Sequence, residues 1–484
     1  MQQYQLYING EFLDNGDREM IDVLNPSTEE VFSQVPKATI EDVNAAVDAA
    51  YEAQKSWAKV PATTRAAYVR EISEALKAKR EFFLDLIMRE QGKNPSLAAI
   101  EADVTPAYFD YMSEWASRIE GEVIESDDPE ENIILKKMPI GVAAGILPWN
   151  FPYFLIARKV APALIAGDTI VLKPSSDTPS ICFEFAKVVD ECSLPKGVIN
   201  VVSGGGSTVG NGLSDNPKVG IVSMTGSVEV GATIMEHCAK NITKVSLELG
   251  GKAPAIVMAD ADLELAAQAI VESRVGNTGQ VCNQAERVYV QEDVAEEFTQ
   301  IVIGKMKAIT SGVPYEEDCD MGPMINKKQI DGVHAKVLHA IEQGAKLECG
   351  GDYDKTVNGG KGYFYQATVL TGCTQDMDIM HDETFGPVLP ICTFKTLDEA
   401  IEYANDCEYG LASSIFTQNL DYMMRAINEI HFGETYVNRW HFEAITGYHQ
   451  GVRKSGLGGD DGKHGFDEYM ESHICYIKYD SKKN

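Results

Sequence analysis

The chain has 484 residues, 44% of them hydrophobic, and a formal net charge of −31. Its length suits about three domains, and its apolar content is too high and too evenly spread for a disordered chain. The charge excludes nucleic acid and anionic membrane surfaces as partners, because their phosphates would repel it.

The start, MQQYQLYINGEF, has no basic region followed by an apolar one. No run approaches the ~18 apolar residues of a membrane span. A cytoplasmic protein with no membrane partner is therefore expected. Ten cysteines without a CxxC pair read as reduced, mostly buried thiols, neither a disulfide framework nor a zinc site.

In chain order, 5–8 and 12–13 read as short strands around an Asn9-Gly10 turn. Thr39-Ile-Glu-Asp42 has the spacing of a capping box, and Val43, Ala46, Val47, Ala50 and Tyr51 follow at helical spacing. One long helix is expected over 63–91, with Val69, Ile72 and Leu76 on a shared face. Residues 121–140, GEVIESDDPEENIILKKMPI, alternate on both sides of an acidic loop. They predict a protruding hairpin, either an assembly element or a solvated surface feature.

From Gly141 strand and helix alternate: strand 141–148, helix 155–165, strand 169–172, helix 178–191, then strands 198–202 and 219–224. The continuous apolar run GVAAGILP suits a strand buried on both faces. The alternation predicts a doubly wound parallel sheet. A second α/β region runs from 255 to about 464. The tail HICYIKYD alternates like an edge strand able to pair with another chain.

In such sheets ligands bind beyond the carboxyl ends of the strands. There stand Pro148-Trp149-Asn150, Lys173-Pro-Ser-Ser176, Ser203 to Gly206 with Gly210, and Thr225-Gly226-Ser227. Glycine backbone and short polar side chains suit phosphates, above all at a helix N-terminus. Glycine clusters are otherwise plain turns, and the GxGxxG fingerprint is absent, so a dinucleotide would bind in a variant manner. Glu248, in LELGGKAPAIVM, ends a strand before two glycines. Desolvation there would raise its pKa toward that of a general base; the alternative is a solvated turn glutamate. Cys282, in GNTGQVCNQAE, follows small polar residues that leave room around a thiol. A helix N-terminus is one place where such a thiol is activated; the alternative is an inert buried cysteine.

Taken in order, Trp149-Asn150-Phe-Pro, Lys173-Pro-Ser, Thr225-Gly-Ser227, Glu248-Leu-Gly-Gly-Lys252, Gly279-Gln-x-Cys282 and Glu383-Thr-Phe-Gly-Pro387 resemble the aldehyde dehydrogenase superfamily. The likeness runs from Tyr7-Ile-Asn-Gly10 to Lys454-Ser-Gly456. It implies an α/β fold of two doubly wound parallel-sheet domains plus a small β oligomerisation element. Residues 1–120 and 141–250 would bind NAD(P), 251–464 would be catalytic, and 121–140 with 465–484 would join subunits of a homodimer or homotetramer.

The same resemblance implies roles. Cys282 is the nucleophile and passes through a thiohemiacetal and a thioester. Asn150 and the Cys282 N–H hold the oxyanion. Glu248 activates the hydrolytic water; CoA-acylating relatives lack this base. Pro148, Trp149, Lys173, Ser176, Gly206, Gly210, Thr225, Gly226, Ser227, Leu249, Glu383 and Phe385 would contact NAD or NADP, and no metal is called for. Members that use NAD usually carry glutamate where this chain has Ser176, so NADP is expected to be tolerated.

The stretches NFPYFLIAR and FEAITGYHQG resemble the bacterial lactaldehyde and glycolaldehyde dehydrogenase group of that superfamily. This implies that Arg158, Glu443 and His449, with Asn283, bind a small aldehyde with a 2-hydroxyl. Other short polar aldehydes remain open, such as succinate semialdehyde or a phosphorylated or sulfonated three-carbon aldehyde, with Arg158 taking the anion. A reading from a different class is a cysteine hydrolase pairing Cys282 with one of the nine histidines. It leaves Lys173, Ser227 and Glu383 without a purpose.

Overall fold

The computed structural model describes residues 1–480. The last four residues of the expected oligomerisation element, 481–484, lie outside the described residues.

The first sheet has eight strands. Val142–Ile146 is flanked by Thr169–Lys173 and Ile199–Val201 on one side and by Val219–Thr225 and Lys244–Glu248 on the other, all parallel. Both Val142–Ile146 and Thr169–Lys173 are buried at every position, as a sheet covered by helices on both faces requires. The strand order reverses between Val142–Ile146 and Val219–Thr225, so a crevice opens beyond their carboxyl ends. The N-terminal hairpin Tyr7–Ile8 and Glu11–Phe12 extends one edge, turning through Asn9 (φ 55°) and Gly10 (φ 70°). Gly456–Leu457 returns from far along the chain to close the other edge.

The second sheet has seven strands, six of them parallel. Ala253–Val257 and Ala285–Gln291 lie side by side at its centre, and the antiparallel Lys346–Cys349 forms one edge. The third sheet joins Glu122–Ile124, Glu131–Pro139 and Met470–Lys478. The predicted hairpin thus forms, and the tail strand pairs with it from Met470 against Pro139 to Lys478 against Glu131. Among the described residues the tail is an edge strand paired with the chain's own hairpin.

The capping box holds: the Asp42 carboxylate accepts from the Thr39 N–H at 2.9 Å, and the Thr39 hydroxyl accepts from the Asp42 N–H at 3.3 Å. It opens the helix Ile40–Trp57. The single helix expected over 63–91 is two, Ala62–Ala78 and Arg80–Glu90, parted at Lys79 (φ −106°, ψ 18°). Leu76 and Phe83 are seven residues apart and both buried, so the apolar phase runs through the break and periodicity cannot register it. Beyond the break Phe83 stacks on Tyr153, ring centroids 4.3 Å apart. Glu90 then caps Ser180–Glu191, accepting the N–H groups of Ser180 and Ile181 at 2.6 and 3.1 Å.

Candidate active site

Asn150, Glu248 and Cys282, each from a different element, line one cavity of about 670 Å³. The chain reaches Cys282 through a tight turn in which Asn277 (φ 49°), Thr278 (φ 57°) and Gly279 (φ 74°) are all left-handed. Side chains hold this turn. Asn277 Nδ2 donates to the Asn150 carbonyl at 3.0 Å, and the Thr278 hydroxyl donates to the Gly322 carbonyl at 2.9 Å. A Cβ at Gly279 would strike Gly386, and one at Gly251 would strike the Cys282 carbonyl, so backbone proximity demands both glycines. Cys282 is partly exposed and stands in the loop before Ala285–Gln291.

Burial raises the Cys282 thiol pKa above its usual value, with His449 pulling the other way. Burial also opposes a charge on His449, yet Glu434 and Glu248 together lift its pKa well above the usual imidazole range. His449 Nδ1 lies 2.7 Å from Glu434 Oε1, and Nε2 lies 3.4 Å from Glu248 Oε2. Glu248 is 2% exposed and neither of its oxygens has a hydrogen bond; the His449 contact is an ion-pair approach without hydrogen-bond alignment. Burial raises its pKa well above the carboxylate range, against the pull of His449. It is no solvated turn glutamate. Asn150 Nδ2 donates to the Gln280 carbonyl at 3.0 Å, and the amide carries a second N–H.

A second cavity, about 730 Å³, meets the first at Asn150, Thr225 and Cys282. All twelve residues expected to contact NAD or NADP line it. Its chemistry fits a dinucleotide. A Cβ at Gly206 or Gly210 would meet no protein atom within 4 Å, so the space beside that backbone is open. The Thr225 hydroxyl is buried without a partner. Lys173 is buried, its Nζ donates among the described residues only to the Pro174 carbonyl at 3.2 Å, and burial lowers its pKa to about 8. Ser227 caps Val228–Ala239, whose N-terminus faces the cavity. Gly231, one turn on, instead lets that helix pack on Leu249.

Glu383 accepts the Gly251 N–H at 2.8 Å, and burial lifts its pKa to about 7. Phe385 (φ 52°) meets Trp149 edge-on, centroids 5.5 Å apart. Glu286 fixes this loop: it accepts the N–H groups of Thr384 and Phe385 at 2.9 and 3.0 Å and pairs with Lys252 and Arg274. Ser176 lines the cavity as expected, but so does Asp177, which accepts from Asn326 Nδ2 at 3.1 Å. The cavity wall beside Ser176 therefore keeps a carboxyl group that the serine alone does not suggest.

Arg158 lies in Phe154–Ala166, a helix buried at every position, and is 4% exposed. Its Nε and Nη2 both donate to Asp461, and Nη2 also reaches Glu443 Oε1 at 2.9 Å. Neighbouring Lys159 pairs with Asp460 at 2.7 Å. Glu443 Oε2 accepts from Asn283 Nδ2 at 2.7 Å. Burial disfavours the Glu443 charge, but His449 and Arg158 outweigh it and bring its pKa to about 2. Arg158, Asn283 and Glu443 thus form one cluster on the cavity wall. His449 lines the same cavity, bonds to Glu434 and helps hold Glu443 ionised. Sequence reasoning missed Asp461, Asp460, Glu434 and Glu286. One signal was available: adjacent cations inside an otherwise apolar helix need buried carboxylates, and Asp460-Asp461 offers two.

The chain from 12 to 475 matches the model of the aldehyde dehydrogenase family. It is 54% identical to a lactaldehyde dehydrogenase of Escherichia coli (strain K12), over 98% of this chain and 99% of that one. A crystal structure of lactaldehyde dehydrogenase from Escherichia coli superposes with a TM-score of 0.97, covering 99% of each chain. A 3,6-anhydro-L-galactose dehydrogenase solved in complex with NAP is 42% identical with a TM-score of 0.96, covering 99% of this chain and 100% of that one. A betaine aldehyde dehydrogenase from Staphylococcus aureus in complex with NAD+ is 34% identical with a TM-score of 0.95, covering 98% and 94%. Cysteine, amide and carboxyl converge where two cavities meet, and the likeness spans nearly the whole length: the chain belongs to the aldehyde dehydrogenase family.

Proposed function

We propose that this protein oxidises a small 2-hydroxyaldehyde, of the lactaldehyde or glycolaldehyde kind, to its carboxylate with NAD or NADP. Cys282 attacks the carbonyl carbon as thiolate. The free N–H of Asn150 and the Cys282 N–H take the oxyanion; losing one such donor costs about 10²–10³ in rate in comparable sites. Bound NAD(P) supplies the hydride acceptor that turns the thiohemiacetal into a thioester. Glu248, kept basic by burial, takes a proton from the water that attacks the thioester, and Cys282 leaves as thiolate. Lys173 and Ser227 serve the cofactor phosphates and ribose, and Glu383 the nicotinamide ribose.

The observation that carries the substrate class is Glu443. It is an ionised carboxylate on the wall of the cavity that holds Cys282, pinned by Arg158 and Asn283 with lone pairs to spare for a hydroxyl. Arg158 is already matched by Asp461 and Glu443, so it offers little to a substrate carboxylate, phosphate or sulfonate. That disfavours the semialdehyde and phosphorylated or sulfonated alternatives. The relative from Escherichia coli, named for lactaldehyde, supports the same class.

We assign 1–120 and 141–250 to cofactor binding, 251–464 to catalysis, and 121–140 with the tail from 465 to subunit assembly. Gly456–Leu457 crosses back into the first sheet. Val123, Ile474 and Tyr476 stand exposed on the small sheet, which suits pairing with a second copy in a dimer or tetramer. No helix among the described residues is long and apolar enough to cross a membrane, and we place the enzyme in the cytoplasm. The test is a panel of short aldehydes with both cofactors. Propanal, which lacks the hydroxyl, is expected to be at least about 100-fold poorer than lactaldehyde in kcat/KM. Equal efficiency would sink the proposal.

A further inference from the structure

The loop 383–385 lines the cofactor cavity and carries a strained residue. Phe385 is left-handed (φ 52°), a conformation that a bulky side chain keeps only when its surroundings impose it. Two side chains do so. The Phe385 N–H donates to Glu286 Oε1 at 3.0 Å, and its carbonyl accepts from Gln329 Nε2 at 3.0 Å. Thr384 is held as firmly: its N–H donates to Glu286 Oε2 at 2.9 Å, and its hydroxyl accepts from Lys252 Nζ at 3.2 Å. Glu286 is 1% exposed and pairs with Lys252 at 2.9 Å and Arg274 at 2.7 Å. Arg274 also donates to the carbonyls of Ala285 and Gly279. One buried carboxylate thus ties the loop backbone to two cations, one in the segment after Glu248 and one bonded to the turn before Cys282.

We propose that Glu286 is a positioning residue for hydride transfer: it fixes the 383–385 loop, and with it the nicotinamide riboside that the loop holds, relative to Cys282. Glu286 lines neither cavity and acts only through the loop. The hydride passes from the carbon bonded to Cys282 to bound NAD(P), and a misplacement of about 1 Å in such a step can cost about 100-fold in rate. Four donors converge on this carboxylate: two backbone N–H groups, an ammonium and a guanidinium. A glutamine would turn its own NH₂ toward one of them and could not serve all four. The turn before Cys282 keeps independent supports in Asn277 and Thr278, so losing Glu286 falls on the loop. Lys173 and Ser227 line the cofactor cavity apart from this loop, so affinity for the cofactor depends little on Glu286.

This inference rests on the proposed oxidation, and the experiment keeps the two apart. With the whole enzyme, single-turnover formation of reduced NAD is followed with lactaldehyde and with lactaldehyde deuterated at the aldehyde carbon. Hydrolysis of p-nitrophenyl acetate without cofactor is followed in parallel. That ester acylates Cys282 and expels p-nitrophenolate, and the water assisted by Glu248 then releases acetate, so no hydride moves. In Glu286→Gln the single-turnover rate should fall about tenfold or more, while ester hydrolysis and the Kd for NAD stay within about threefold of wild type. The deuterium isotope effect on steady-state turnover should exceed that of the wild type. Glu286→Asp keeps the charge between Lys252 and Arg274 but ends one methylene short of the loop; if Glu286→Gln fails to fold, it carries the test, with the same split expected. Hydride transfer within about threefold of wild type in the variant that folds, or ester hydrolysis falling as far as hydride transfer, overturns the proposal and leaves the oxidation standing. A wild type that hydrolyses the ester but reduces neither NAD nor NADP with any aldehyde overturns the functional reading, and this inference with it.

Discussion

Replacing Glu443 by glutamine keeps its shape and removes its charge. Glu443 receives Arg158 Nη2 at 2.9 Å on one oxygen and Asn283 Nδ2 at 2.7 Å on the other. A glutamine amide offers one accepting oxygen and one donating nitrogen. Whichever way it turns, its NH₂ faces a donor, Arg158 or Asn283, and one contact is lost. A substrate hydroxyl donating to this group also loses a charged acceptor. Hydrogen bonds to charged groups contribute about 1.5–3 kcal/mol, so kcat/KM for lactaldehyde should fall about 10- to 150-fold. Propanal makes no such bond and should change by less than about threefold. The assay is steady-state formation of reduced cofactor with each aldehyde on wild type and variant. If both substrates fall together, Glu443 supports the fold of the loop and does not read the hydroxyl; if neither falls, it does neither.

Glu248→Gln should release one equivalent of reduced cofactor per active site and then stall, since acylation proceeds and thioester hydrolysis does not; full steady-state turnover would remove Glu248 from the mechanism. Lys173 loses its proton above about pH 8 in the free enzyme. If it holds a 2′-phosphate, kcat/KM for NADP relative to NAD should fall between pH 7 and 9, and a flat ratio would show that Lys173 does not distinguish the two. Arg158→Met leaves Asp461 buried and Glu443 partly buried without their cation. It should cost about 3–5 kcal/mol in denaturant unfolding, and a loss under about 1 kcal/mol would show that the carboxyls simply take up protons.

The sequence is most informative where a physical demand is local. The Asn9-Gly10 turn, the Thr39 capping box and the apolar strand after Gly141 follow from turn chemistry, capping and burial within a few residues. The cofactor cavity was legible too, because strand ends in a doubly wound sheet converge by topology, and Lys173, Ser176, Gly206, Thr225 and Ser227 all stand at such ends. Two kinds of feature stayed hidden. The break at Lys79 preserves the apolar phase and leaves no trace in it. Contacts between residues far apart in the chain, Arg158 with Asp461 and Glu286 with the 384–385 backbone, depend on tertiary packing that no local pattern records. His449 shows the limit most clearly: nothing in its sequence neighbourhood announces that its ring lies between Glu434 and Glu248.

Two carboxyls, Glu248 buried and Glu443 partly buried, act on one imidazole, and their surroundings drive their pKa values apart. Glu443 has Arg158 and the Asn283 amide, and its pKa falls to about 2. Glu248 has neither a cation in hydrogen-bond alignment nor an amide, and burial raises it. A group held ionised across the working range can accept a hydroxyl but cannot cycle a proton. A group whose charge costs solvation can cycle one. Exchanging the roles would fail on both counts: a neutral carboxyl at 443 would offer a substrate hydroxyl no charged acceptor, and a firmly ionised one at 248 would be too weak a base to activate water. The positions of one arginine and one amide, each fixed by a different sheet, decide which carboxyl reads the substrate and which moves the proton.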